Sequence, residues 1–298
     1  MKKIAPVMVL LAAVLWGSNG VFVNLMADSG FGSIERTSIR MFLAVFIEAL
    51  ILLLTNRESF RIDAKGLAWS AAIGVFGMYL FLVLYTLSIA RVGMGTAGVL
   101  IYLMPTLVMV YSCLFASEKF TLLKGVALLL NLSGCALVSG IASGGGSDIV
   151  GILCGVMAAF FYAFNNIAVA HGLKGYAPAT KMFYPALFAG LSAFVCLCIF
   201  CDIGSIFSRL SSEPRLILFL ALWALCCSIS TYYLFNTALS YLDIVTASLL
   251  STFEPVAAVL FGVFLFNEKQ GLFGWIGVFL VLASLILIEL KPKGGKNE

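Results

Sequence analysis

Few residues of this chain carry chemistry, and they stand inside long apolar runs. Glu254 directly precedes Pro255 near the middle of one such run. A carboxyl there has three open roles: holding a substrate amine, carrying a coupling proton, or hydrogen-bonding a helix that the proline interrupts. Glu48 is also intramembrane by position, nearer one end of its run, where snorkelling or pairing with a base is open to it. Arg40 can attract a carboxylate, although a structural salt bridge or an interfacial position is the favoured reading. Around these charges, neutral polar and aromatic residues recur at helical spacing: Trp16 with Asn19, Tyr162 with Asn165 and Asn166, and Tyr233 with Asn236, Thr237 and Ser240. Tyr79 and Tyr102 add two further rings. Rings that bury an apolar side chain beside amides that satisfy a polar end suit a zwitterion such as a neutral or aromatic amino acid. Interhelical hydrogen bonding is the competing role for each of these residues taken singly.

Other chemistry has little support. His171 is the chain's single histidine and falls at the end of a run, as a surface residue would. All eight cysteines lie in or at the end of apolar runs, where the thiol behaves as a small apolar group, so neither disulfides nor a metal site are expected. Convergent acids, bases or metal ligands of an embedded enzyme are missing from the sequence. A channel or receptor is the third class, and it would conduct or signal without saturable counterflow. Close glycine pairs such as Gly74 with Gly77 and Gly151 with Gly155 read as helix contacts, not a phosphate cradle, so no nucleotide or other cofactor is called for.

The elements that must position these residues are set by composition. Of 298 residues, 62% are apolar and 11% charged, with a mean hydropathy of +1.10, which excludes an ordinary water-soluble enzyme. The net charge of +4 is scattered, so nucleic acid is not an expected partner. Because a bilayer-spanning helix needs roughly 20 apolar residues, the runs predict ten spans at roughly 5–27, 34–55, 66–89, 95–116, 120–140, 149–171, 178–201, 214–240, 244–266 and 270–290. The first run is read as a membrane helix, not a cleaved signal, since it lacks a small-residue cleavage site. Asn56 to Lys65 and Asp202 to Glu213 are the longest polar connections. Lys and Arg divide twelve to six between alternate loops, which predicts both termini on the cytoplasmic side of the cell membrane and the Ser143 to Ser147 loop outside.

The chain also repeats itself. Ile101-Tyr-Leu-Met-Pro105 with Glu118-Lys119 returns as Ser251-Thr-Phe-Glu-Pro255 with Glu268-Lys269, and Thr96-Ala97 as Thr246-Ala247, always 150 residues apart. A weaker echo pairs Trp16 and Asn19 with Tyr162 and Asn165. The chain is therefore expected to be all-α, with one five-helix repeat at 1–141 and a second at 149–298. An odd number of spans per copy makes the copies enter the membrane from opposite sides, a construction of transporters with one midplane site. Pro105 and Pro255 each free the carbonyl four residues earlier, which lipid does not tolerate, so both helices should face the interior. Glu118 and Glu268 read as caps at the ends of their spans. Met104 stands where the second half has Glu254, so any charge role belongs to one half.

In Trp16-Gly17-Ser18-Asn19, in Arg40 with Ala44, and in the mid-span proline followed thirteen residues later by Glu in both halves, the chain resembles the drug/metabolite transporter superfamily, and within it the EamA-type exporters. The resemblance covers almost the whole chain. It implies export or exchange of small metabolites such as amino acids, and sometimes of nucleosides or toxic organic compounds. It makes a small molecule and the bilayer the expected partners, with proton coupling and homo-oligomerisation left open.

Overall fold

The computed structural model describes residues 3–55, 57–115, 121–138, 148–267 and 271–289. Glu118, Lys119, Glu268, Lys269 and the Ser143 to Ser147 loop lie outside them. Every regular element among the described residues is helical: α1 (Ala5–Gly17), α2 (Asn19–Leu25), α3 (Ser33–Thr55), α4 (Ala64–Ala72), α5 (Phe81–Ile101), α6 (Met104–Phe115), α7 (Leu122–Val138), α8 (Ile149–His171), α9 (Pro178–Phe200), α10 (Ile203–Ser212), α11 (Pro214–Ala224), α12 (Thr231–Ala238), α13 (Ile244–Ser251), α14 (Glu254–Phe266) and α15 (Leu272–Glu289). Among the described residues, seven helical stretches are long and apolar enough to cross a bilayer, and shorter apolar helices at Met104–Phe115, Leu122–Leu137 and Leu272–Leu287 complete ten spans. Phe46, Leu54, Leu122, Phe264 and Phe279 lie exposed on the outer surface, where lipid replaces water as the solvent.

Aspartates start several helices. Asp63 accepts from the Gly66 amide, Asp148 from those of Val150 and Gly151, Asp202 from that of Gly204 and Asp243 from that of Thr246, each satisfying amides that have no partner inside the helix. Asp148 also pairs with Arg91 at 3.0 Å, tying the start of α8 to α5. Spans then pack through small residues. A Cβ on Gly134 would stand 2.8 Å from the Gly277 carbonyl oxygen, so α7 and α15 touch backbone to backbone.

Four features add to or depart from the sequence expectation. The fourth and ninth spans are cut in two just before their prolines: Tyr102–Leu103 separates α5 from α6, and Thr252–Phe253 separates α13 from α14. Each proline thereby falls in the first turn of a new helix, where its missing N–H is no loss. Helix α5 also runs unbroken through residues 90–94, where a loop between the third and fourth spans is expected. Asp202 to Glu213 is not a polar connection but carries α10, an amphipathic helix that buries Ile206 and leaves Phe207 exposed. Finally, the third and eighth spans contain π-helical segments at Ile73–Leu80 and Leu225–Ser230, ending 150 residues apart like the rest of the repeat. Such widened turns recur at functional sites because they re-aim the side chains that follow.

Candidate functional site

The broken and widened helices surround one central cavity of about 180 Å³, which is room for roughly six waters. Both halves of the chain line it. Trp16 and Asn19 enter from the first span, and Tyr162 and Asn165, their counterparts in the weaker repeat, from the sixth. Tyr102 and Glu254 stand at the two helix breaks, and Asn236 closes the wall from α12. The rings are packed against one another: Trp16 lies 5.6 Å from both Tyr232 and Phe235, and Tyr162 stacks on Phe81 at 4.8 Å. Trp16, Tyr102, Tyr162, Asn165, Asn236 and Glu254 make no side-chain hydrogen bond among the described residues, so their polar capacity is turned to the cavity. Asn19 differs, because its Oδ1 accepts the indole N–H of Trp223 at 2.7 Å.

The two helix breaks serve different ends. Asn131 donates to Thr252 Oγ1 and, at 3.4 Å, to Ser284 Oγ, so a side chain from the first half holds a residue at the break of the second. Met104 is buried in the core, where Asn166 donates to its sulfur at 3.4 Å, while Glu254 at the equivalent place lines the cavity.

Tyr79 and Tyr233 do not join the cavity. Tyr79 occupies a small recess beside Thr37 and Ser38. It lies in the π-helical segment, six residues before the cavity-lining Tyr85, and is not among the residues that line the cavity. Tyr233 is 48% exposed on the outer surface, and Tyr232 takes the inward position. Both tyrosines fall within about 60° of Asn236 on a helical wheel, one on each side, so spacing alone does not choose between them.

Charged groups are the larger surprise. Arg40, Glu48 and Lys181 line the cavity together with Glu254, and none of the four forms an ion pair among the described residues. Arg40 neither snorkels nor pairs with an acid; its guanidinium lies 4.7 Å from the centroid of the Trp223 ring and Nη1 donates to Ser228 Oγ at 3.2 Å. Glu48 is 2% exposed, and its Oε1 has no partner among the described residues. Lys181, in the first turn of α9, reads in the sequence as one more loop charge, yet it is only 7% exposed. A charge at mid-membrane costs about 2.5–3.5 kcal/mol on insertion scales.

At opposite ends of the cavity, contacts cross between the halves. At one end Tyr176 hydrogen-bonds Asp63, Thr180 donates to the Ser59 carbonyl at 2.9 Å and Tyr184 to the Phe60 carbonyl at 2.7 Å. The Tyr176 hydroxyl holds the Asp63 carboxyl below the usual carboxylate range. At the other, Trp223 binds Asn19 and stacks on Phe22 at 6.0 Å, and Arg209 donates to the Ser29 carbonyl at 3.2 Å.

The sequence profile of the EamA-like transporter family matches residues 3–140 and, a second time, residues 149–290. The chain belongs to the EamA-like transporter family. Relatives in the family include an uncharacterized inner membrane transporter, YicL, of Salmonella typhimurium, 27% identical over 96% of this chain and 95% of its own. The uncharacterized transporter YxxF of Bacillus subtilis is 23% identical over 99% of this chain and 93% of its own. A protein of known crystal structure superposes with a TM-score of 0.80, covering 97% of this chain and 98% of that one at 15% identity, which shows the shared fold. The family's paired profile coincides with the two halves that contribute matching spans to the cavity.

Proposed function

We propose that this EamA-family transporter is a secondary carrier that exports or exchanges small metabolites, with neutral or aromatic amino acids as substrates. The observation that carries the reading is the cavity itself, in which stacked rings alternate with amides and a carboxylate that the protein leaves unengaged. Trp16, Tyr102 and Tyr162 are assigned to the apolar part of a substrate, and Asn19, Asn165, Asn236 and Glu254 to its polar groups. Five spans per half make the repeats inverted, so the two sets of cross-half contacts can open in turn around one site. Both termini are placed in the cytoplasm, which puts the Asp63–Tyr176 end inside.

Counterflow tests the reading. Purified protein in liposomes loaded with unlabelled amino acids should accumulate a labelled neutral or aromatic amino acid in a saturable, ligand-dependent way. Counterflow of nucleosides alone, or of no member of an amino-acid pool, would overturn the substrate assignment.

A further inference from the structure

We infer that Arg40 is a carboxylate-binding subsite of the cavity, and that the substrates therefore carry a free carboxylate. The inference rests on the transport reading and narrows it, since nucleosides and organic cations lack that group.

Arg40 sits seven residues into α3, about 10 Å along the helix from its start. Its guanidinium keeps its charge at any physiological pH. What holds it is neutral: the face of Trp223 at 4.7 Å and the Ser228 hydroxyl at 3.2 Å. Trp223 is itself fixed by its hydrogen bond to Asn19 and by the parallel ring of Phe22, inclined at 4°. The guanidinium is thus seated against a fixed ring before any ligand arrives. Its Nη2 makes no hydrogen bond among the described residues and, unlike the buried Nε, is not sealed from the cavity. A planar fork with a spare donor edge matches the two oxygens of a carboxylate.

The protein's own acids are placed elsewhere. Glu48 lies on the same face of α3, eight residues and about 12 Å further along. Leu52 packs with Ala179 and Phe183, and Ala44 with Met182, so Glu48, between them, lies level with Lys181 at the opposite end of the cavity from Arg40. Glu254 lines the cavity from α14 without reaching ion-pair distance of Arg40. The π-helical segment Leu225–Ser230 is what brings Ser228 to the guanidinium, which gives that widened turn a purpose.

Matched ligand pairs test the inference on the purified full-length protein. Phenylalanine is compared with phenylalaninamide, and 3-phenylpropanoate with 3-phenylpropanamide, by ligand-induced thermal shift and by competition binding. The wild type should bind each carboxylate at least about tenfold more tightly than its amide. Arg40→Gln should bring the members of each pair to within about threefold. Arg40→Lys keeps the charge without the fork, and should give an intermediate preference even if the Gln variant fails to fold. A wild type indifferent to the carboxylate overturns the inference with no variant needed, and an undiminished preference in Arg40→Gln overturns the assignment to Arg40. Arg40-dependent binding of 3-phenylpropanoate without amino-acid counterflow would support the subsite while removing the amino-acid reading, so the two fail separately.

Discussion

Gly17 and Gly20 are three residues apart on the first span and should respond in opposite ways to the same substitution. A Cβ on Gly17 would lie 2.7 Å from the Ala257 Cβ, 2.8 Å from the Glu254 carbonyl oxygen and 2.9 Å from the Ala258 amide nitrogen. Ordinary contact begins near 3.5 Å, so α1 and α14 must part by about 0.8 Å, and two of the three obstacles are backbone that cannot rotate away. Such overpacking costs about 1–3 kcal/mol. Replacing a helical glycine with alanine returns about 0.5–1 kcal/mol of backbone entropy at either site. Gly17→Ala should therefore lose roughly 0–2.5 kcal/mol net. Gly20 has nothing within 4 Å of its Cβ, so Gly20→Ala should gain about 0.5–1 kcal/mol. Reversible unfolding in mixed detergent and denaturing micelles measures both. Because the start of α14 carries Glu254 into the cavity, substrate exchange should fall in Gly17→Ala and persist in Gly20→Ala. A Gly17→Ala protein as stable as Gly20→Ala would refute the close helix contact from which the whole estimate follows.

Tyr162→Ala and Asn165→Ala should each weaken substrate affinity about 3- to 30-fold, equivalent to 0.6–2 kcal/mol, with nearly normal folded yield, while Tyr233→Ala leaves counterflow unchanged; equal losses in all three would undo the cavity assignment. For Glu254, a coupling role predicts that Glu254→Gln retains exchange between loaded compartments and loses pH-driven uphill transport, whereas weakening of both together makes it a substrate contact; a fully active Glu254→Leu protein would remove it from the mechanism. Tyr176→Phe removes the hydroxyl that depresses the Asp63 carboxyl. A depressed carboxylate adds stability above its unfolded value near pH 3.9 and loses it as pH falls through the lower folded value, so the gap between wild type and variant should be full at neutral pH and narrow below about pH 4. A thermal-unfolding series across pH checks this, and a gap that widens in acid would contradict it. Cysteine labelling should reach Gly145→Cys only from outside and Lys174→Cys only from the cytoplasm, as the twelve-to-six charge bias requires; the reverse pattern would invert the topology.

What the sequence determined is what the solvent dictates one residue at a time. Apolar runs must become helices in lipid, because each backbone amide needs a partner within its own segment, so all-helical spans follow from composition. The 150-residue repeat follows from matching residues, and Asp63, Asp148, Asp202 and Asp243 announce helix starts by the chemistry of one side chain. Trp16, Asn19, Tyr102, Tyr162, Asn165, Asn236 and Glu254 were legible as cavity candidates because polar groups have no place against lipid. Periodicity carries no absolute direction, however, and that is where tertiary structure decided. Tyr232 rather than Tyr233 points inward because of how the eighth span is rotated against its neighbours, which no spacing records. The π-helical turns have no residue signature, yet the one at Leu225–Ser230 carries the Ser228 that meets Arg40. Lys181 is indistinguishable from a loop lysine until α9 packs on α3 and buries it. Whether a charge near a span's end meets water, lipid or a cavity depends on which helices surround it, and those neighbours come from distant parts of the chain.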